Sequence, residues 1–373
     1  MQEDGLHRVL LVGDVVMGDR RSAPDSVKTL VGLFNCDRVL ANAEIPLTER
    51  GSPADKFVAW RTGPAVARRM RELGFDLVSL ANNHALDYGP EGLFDTIVAF
   101  HAAGIDTVGA GPTLGDALAP AILALDERTK IAVLGVACTL PLGYAAAGDR
   151  PGVAPVRVST RYEFDPRDLQ EEPGCQPTFI HTCPDLEDLA RICDAITHWR
   201  NRGYLVFVSI HWGNAFQKQL AQYQRPVARA FQEAGCSLVI GHHPHTFHGI
   251  EVVGKMPVLY SLGNFIMEET IVHGADSGLP EGLATPWVMS PEALVAVAEI
   301  EDSRLRALRV YPIVLDGDGF PSRALGEAGE KILRDTAQCP PATPPWVLQG
   351  AEAVISLASK RASDSRPGMR PRE

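Results

Sequence analysis

Two hydrophobic periods run along this chain, and one combination of them recurs. Four times an amphipathic helical stretch leads through a glycine into a short apolar run: ARRMRELG before FDLVSL, TIVAFHAAG before IDTVGA, AITHWRNRG before YLVFVSI, and ARAFQEAG before CSLVIG. Glycine suits the left-handed position just past a helix, and apolar runs of this length suit buried strands. Leu10–Gly13, Ile131–Ala137 and Val258–Leu262 add strands of the same kind. The pattern predicts an α/β layered domain with helices on both faces of a sheet. After Leu294, VAVAEIEDSRLRALRVYPIVLD alternates with the period of a strand and predicts a β-hairpin at about 292–316.

Two segments interrupt the pattern. Residues 141–184, rich in Pro and Gly, read as a long insertion or an irregular excursion between core elements, with a substrate-facing lid as one use, and 267–290 reads as a loop long enough to cover a site. The end of the chain, from PPATPPWV to SRPGMRPRE, is polar and Pro-bearing. The expected organisation is one domain over 1–335 with its core at 8–268, followed by a flexible tail over 336–373.

Composition narrows the function classes. The 35 basic and 46 acidic residues leave a net charge of −11, which argues against a nucleic-acid partner unless a local basic pocket overrules it. The start, MQEDGLHRVLLVGDVV, lacks the basic, extended apolar character of a secretion signal, and no stretch is apolar enough to span a bilayer. The expectation is a cytoplasmic protein without direct membrane insertion. Seven cysteines, an odd number with no CxxC pair, read as scattered reduced thiols.

The position of the polar residues points to chemistry. In an open α/β sheet, ligands bind beyond the carboxyl ends of the strands, where the loops converge. Here strand after strand ends in residues able to bind metal. LLVG runs into Asp14, LVSLA into Asn82, Asn83 and His84, LVFVSI into His211, LVIG into His242, His243 and His245, and VLYSL into Asn264, while RVLANAEIPLT adds Asn42 and Glu44. Each has a plainer reading: Asp14 as a helix cap, the Asn82–Asn83 pair as turn chemistry, Glu44 as a solvated loop residue, a single histidine as a hydrogen-bonded structural group. Four of the eleven histidines fall between 242 and 248, however, and His, Asp, Glu and Asn together suit a borderline divalent ion.

These motifs, in this order, resemble the CapA family of capsule and poly-γ-glutamate synthesis proteins, relatives of the calcineurin-like metallophosphoesterases. The resemblance rests on VGDVVMGDR, NAEIPLT, VSLANNHALDYG, SIHWGN, AGCSLVIGHHPHTFHGIE and VLYSLGNFI, over roughly residues 8 to 268. It implies an αββα sandwich of mixed sheets flanked by helices, holding one or two divalent ions (Mn, Zn, Fe or Co). Carried over by motif, Asp14, Glu44, Asn83, His211, His243 and His245 would be the metal ligands, Glu44 the bridging one. His84 would be the general acid or orient the substrate, with Asp87 orienting His84. His243 and His245 would face different ions. The phosphoesterase pattern has a histidine two residues after the first aspartate, where this chain has Val16. One complete set (Glu44, Asn83, His211, His243) and one set a ligand short (Asp14, Glu44, His245) are therefore expected.

Around these residues, Arg20, Arg61 and Asn264 are candidates for substrate binding. Arg20 with Arg21 reads equally as pocket or solvated surface, and family members more often have the arginine where this chain has Asp19; Trp60 with Arg61 reads as pocket lining ahead of solvated surface. His242 reads as structural, Trp212 as a packed aromatic, His248 and Glu251 as supporting groups, and Lys218 and Lys255 as solvated. The resemblance implies a metal-dependent hydrolase or transferase acting on an anionic small molecule, a peptide, polyglutamate or a phosphorylated intermediate. The alternative is a non-catalytic polymer-binding or assembly component working with capsule-synthesis partners.

Overall fold

The computed structural model describes residues 5–19, 24–56, 58–268, 289–341 and 346–357. Each of the four helix–glycine–strand units forms: helices Ala65–Glu72, Gly89–Ala102, Leu186–Asn201 and Gln224–Ala234 lead into strands Leu77–Ser79, Asp106–Val108, Leu205–His211 and Leu238–His242. They divide between two sheets. A ten-stranded sheet runs Trp346–Leu348, Ala353–Ser356, Arg304–Leu315, Glu292–Glu301, Leu6–Val16, Arg38–Ala43, Leu77–Ser79, Asp106–Val108, with Asn264–Met267 also beside Leu6–Val16 and Pro321–Arg323 beside Arg304–Leu315. A six-stranded sheet runs Ile250–Val253, Met256–Leu259, Leu238–His242, Leu205–His211, Lys130–Ala137, Ala121–Ala124.

Side-chain alternation along the strands builds the layers, because successive residues point to opposite faces. Val9 and Leu11 of the large sheet and Ile131, Val133, Leu205 and Phe207 of the smaller one share the core between the sheets. Their neighbours Leu10 and Val12 turn outward under helices carrying Val27, Leu30, Met70, Leu93 and Phe100. On the other side Leu134, Val136, Val206, Val208 and Ile210 meet Ile192, Ile196, Val227 and Phe231. The result is helix, sheet, sheet, helix. Each fully buried Leu, Val or Phe contributes about 1.5–3 kcal/mol by leaving water.

Two expectations meet a different outcome. The stretch 141–184 is not one insertion: Tyr144, Ala146, Val153, Ala154 and Val156 are buried in the core, and only the later ribbon, Val158–Glu163 paired with Phe179–Pro184, stands apart. Nor is the chain from 336 wholly a tail. Helix Gly326–Gln338 runs across that boundary and Ala353–Ser356 joins Arg304–Leu315, because Ala353 and Ile355 alternate inward and complete the core between the sheets. The rest of the tail, from 358, lies outside the described residues, as does most of the loop at 267–290. The alternating run at 292–316 does form an antiparallel pair, Glu292–Glu301 with Arg304–Leu315. All seven cysteines are free.

Candidate metal centre

The two sheets bring the carboxyl ends of their parallel strands to one edge. Asp14 lies in strand Leu6–Val16 opposite Asn42 on one side and Asn264 on the other. In the smaller sheet His211 and His242 are register partners at the ends of adjacent parallel strands, so both face the same edge. Gly13 lets the strands close: a Cβ there would meet the carbonyl oxygen of Gly263 at 1.9 Å, and Asp14 N–H donates to that same carbonyl at 3.0 Å.

All six expected ligands converge at this edge. Ligand atoms of Asp14, Glu44 and His211 lie within 4.8 Å of one another, as do those of Glu44, His243 and His245. Asn83 joins through its Oδ1, 2.7 Å from His211 Nε2. Glu44 is common to both groups, as a bridging carboxylate must be. The division between groups differs from the expected one: His243 and His245 fall together with Glu44, and Asp14 falls with His211. His243 and His245 both have positive φ, 98° and 53°. Non-glycine residues rarely adopt that conformation, and such strain gathers where side chains must converge on a site.

The electrostatics fit a cation. Glu44 is fully buried, and its Oε1 has no hydrogen-bond partner; its neighbours are His211 Nε2 at 3.4 Å and His245 Nε2 at 3.7 Å. Burial, and then the charge of Asp14, push its carboxyl well above the ordinary value. A buried carboxylate oxygen with no donor is costly, and a proton or a metal ion would complete it. Burial likewise drives His211 and His243 well below the ordinary imidazole value, so both stand neutral with lone pairs for coordination, and His243 Nδ1 also lacks a partner. For His245, burial acts downward, but Glu44, Asp14 and the Asn264 hydrogen bond outweigh it and raise the imidazole. Asn264 Oδ1 sits 2.9 Å from His245 Nδ1, leaving Nε2 directed at Glu44.

Asp14 is the satisfied member of the set. Burial acts to raise it, yet His242, His245 and His211 hold it well below the carboxylate range. Asn42 Nδ2 donates to its Oδ1 at 2.9 Å, His242 Nδ1 lies 3.2 Å from the same oxygen, and the His243 N–H donates to Oδ2 at 3.2 Å. His242, read from sequence as structural, thus stands beside Asp14. The signal was present in the parallel endings FVSIH and LVIGH, which place the two histidines side by side.

A second cluster adjoins the first. Asp87 is buried and fully engaged: His84 Nδ1 at 2.6 Å, Lys56 Nζ at 2.7 Å, the Trp60 N–H at 2.7 Å and the Tyr144 hydroxyl at 3.1 Å. Lys56 also donates to the Asn83 carbonyl at 2.6 Å, and the Trp60 ring stacks on His84 with centroids 4.2 Å apart. Asn82 ties this cluster to the ligands, donating to Asn42 Oδ1 at 3.1 Å and accepting from the His84 N–H at 3.0 Å. Burial raises the Asp87 carboxyl, but His84 and Lys56 together leave it lowered; burial lowers the His84 imidazole despite Asp87. Lys56, Tyr144 and Asn82 carried no sequence signal of this role.

Other candidates lie apart. Arg61 is exposed, with its guanidinium 4.5 Å from the Tyr88 ring and a contact to the Glu49 carbonyl. Arg20 and Arg21 fall outside the described residues. His248 Nε2 meets the Gln217 carbonyl at 2.7 Å, and Glu251 accepts from the Tyr260 hydroxyl at 2.9 Å, so neither supports the ligands directly. Trp212 is a packed aromatic, stacked on Tyr260 and donating to its carbonyl at 2.9 Å. Val16 is buried among apolar residues of the large sheet's outer core and adds no ligand.

Residues 8–269 match the family described as "Bacterial capsule synthesis protein PGA_cap". Among curated proteins, the chain is 30% identical over 278 residues to "PGA biosynthesis protein CapA" of Bacillus subtilis (strain 168), covering 72% of this chain and 65% of that protein. It is 29% identical over 281 residues to "Capsule biosynthesis protein CapA" of Bacillus anthracis, covering 72% and 62%. A "Probable polyglutamine synthesis accessory protein" of Mycobacterium tuberculosis is 31% identical over 245 residues, covering 65% and 58%. The chain thus spans a little under two thirds of the length of these relatives. It belongs to the PGA_cap family, whose metallophosphoesterase-like fold it shows.

Proposed function

We propose that this member of the PGA_cap family is a metal-dependent hydrolase, or a transferase using the same electrophilic metal, that acts on a γ-glutamyl, peptide or phosphorylated intermediate of capsule or polyglutamate synthesis. The observation that carries the reading is Glu44. A fully buried carboxylate oxygen without a donor among the described residues, faced by His211 and His245 with His243 grouped beside it, is a donor set that a divalent cation would complete. Asp14, Glu44, Asn83, His211, His243 and His245 would hold one or two divalent ions (Mn, Zn, Fe or Co). Such an ion would supply Lewis acidity to the scissile carbonyl or phosphoryl group and acidity to water.

The chain's own groups do the rest. With Asp87 ionised, the 2.6 Å hydrogen bond assigns the His84 proton to Nδ1 and leaves Nε2 to accept a hydrogen bond or a proton from the reacting group, and to return it to the leaving group. Stacking on Trp60 fixes the ring plane. Asn264 sets the tautomer of His245 in the same way, so here it positions a ligand. The phosphoesterase pattern's histidine is Val16 here, so the position beside Asp14 would lack that ligand, and one ion would bind more tightly than the other. Metal analysis showing two ions of equal affinity would contradict that asymmetry.

Protein loaded in turn with Mn, Zn, Fe and Co and assayed on phosphomonoester, phosphodiester and γ-glutamyl substrates tests the reading. Turnover that disappears in His211→Ala and His243→Ala, with folding kept, supports it. A flat response across every metal and substrate, together with tight polymer binding, favours the second reading, a polymer-binding or assembly component with capsule-synthesis partners. The word "accessory" in the mycobacterial relative's name speaks for that one. No helix among the described residues is long and apolar enough to cross a membrane.

A further inference from the structure

The opposite edge of the smaller sheet carries a feature that the metal centre does not use. Strands Leu205–His211 and Leu238–His242 end at the metal centre; at their other end Leu205, and Ser237 just before the second strand, line a cavity of about 900 Å³. The seven residues of Leu205–His211 put the two sites about 20 Å apart. Three cations from three separate elements line this cavity: Arg200 in the last turn of helix Leu186–Asn201, Lys255 in the turn after Ile250–Val253, and Arg304 at the start of strand Arg304–Leu315. None of the three has an ion pair among the described residues, whereas Arg306, also in the lining, is held by Glu301 at 3.2 Å.

Arg200 is seated there by the backbone. Gly235, with φ 95°, ends helix Gln224–Ala234 in the left-handed conformation, and a Cβ at that position would meet Arg200 Cδ at 2.1 Å and Nε at 2.6 Å. The glycine therefore does two things: it closes the helix, and it gives the arginine side chain a bed along the cavity wall. Three cations without an ion pair among the described residues thus surround one concavity in a chain of net charge −11. Long-range repulsion disfavours anions over the whole molecule, so an anion that binds here is held by local contacts.

We infer that this cavity is a second anion site, separate from the metal centre, that grips a polycarboxylate chain through Arg200, Lys255 and Arg304. Carboxylates fit better than phosphates because Glu301 and Asp302 share the lining. Acidic side chains in the same lining repel a dianionic group more than spaced single charges, and each guanidinium can take one carboxylate through two parallel hydrogen bonds. The choice of glutamate as the repeating unit rests on the function proposed above; the cavity and its charges do not. A site of this kind would tether a polymer to the enzyme at one edge while an end or branch reaches the other.

The test uses the full chain with a fluorescently labelled γ-linked glutamate oligomer, followed by anisotropy at low ionic strength with chelator present to silence the metal centre. Saturable binding is expected, weakened about tenfold or more in Lys255→Glu/Arg304→Glu, unchanged in His243→Ala, and lost as salt rises. Unfolding midpoints are measured alongside. Should the double reversal fail to fold, the milder Arg304→Gln and Lys255→Gln are each expected to weaken binding. Undiminished binding in the folded variants would overturn the inference, as would loss in His243→Ala or a site that takes inorganic polyphosphate and ignores the glutamate oligomer. The outcomes also separate this inference from the proposed reaction. An oligomer bound here but cleaved under no metal refutes the reaction and leaves the site; one cleaved normally and bound equally by the reversal variant refutes the site.

Discussion

Two buried carboxylates a short distance apart in this fold are treated in opposite ways. Asp87 accepts from four donors, His84, Lys56, Trp60 and Tyr144. Among the described residues, one Glu44 oxygen has no donor, and the other has only a long contact, 3.4 Å, from Asn42 Nδ2. The difference teaches where the protein is complete by itself. Around Asp87 the charges are already neutralised within the chain, so the cluster holds the His84 ring whether or not anything is bound. Around Glu44 no donor among the described residues completes the carboxylate, which leaves it to a proton or to the cation proposed above.

The largest effect expected from breaking this contrast is on turnover. Glu44→Ala and His243→Ala should each reduce kcat/KM by at least about a thousandfold, about 4 kcal/mol, since each would remove a ligand of the proposed metal. The same changes should leave the metal-free protein as stable as before or more so, because an uncompensated buried group goes with them. Thermal melts with and without added metal check this: wild type should gain about 2.7 kcal/mol at a metal concentration a hundred times Kd, and the variants should gain little. Variants that melt far below wild type without metal would mean that Glu44 is structural.

Asp87→Ala should do the reverse. Removing the acid leaves Lys56 and His84 without their partner, a loss of about 3 kcal/mol in the metal-free protein by chemical denaturation, while metal affinity changes little. A smaller step is Tyr144→Phe, which deletes one hydrogen bond to Asp87 and should cost about 1 kcal/mol. If Asp87→Ala instead abolished metal binding with stability intact, the two carboxylates would belong to one ligand system and the contrast would fail.

How much of this was legible beforehand depends on the range of the contact. The layered fold could be read because its signals are local: a helix face, a glycine, an apolar run. The ligands could be read because parallel strands deliver their last residues to one edge, so that Asp14, Asn83, His211, His243 and His245 each stood at the end of a recognisable strand. The partners of Asp87 could not. Lys56 lies 31 residues away in a polar stretch without period, and Tyr144 57 residues away in a segment that looked like an insertion. The division of ligands between the two groups was also hidden, because it depends on the left-handed backbone at His243 and His245, which no residue there announces. The closing strand Ala353–Ser356 was masked by the proline-rich stretch before it.

The smallest and sharpest comparison is in pH. The Asp87 carboxyl is lowered from its ordinary 3.8 because His84 and Lys56 outweigh its burial, so its contribution to stability is fully present above 3.8 and is lost as pH falls through the folded value. Glu44 is raised from its ordinary 4.5 by burial and by Asp14. Between 4.5 and its folded value the native state binds the proton and the unfolded state does not, so metal-free stability falls as pH rises across that window. Denaturation in chelator, wild type against Asp87→Asn and Glu44→Gln, separates the two. The Asp87→Asn deficit should shrink on acidification below 3.8, whereas Glu44→Gln should gain on wild type as pH climbs above 4.5, and that gain should vanish when metal is restored. Parallel pH slopes for the two variants would show that Glu44 is satisfied without a cation, and the central argument for a metal centre would go with it.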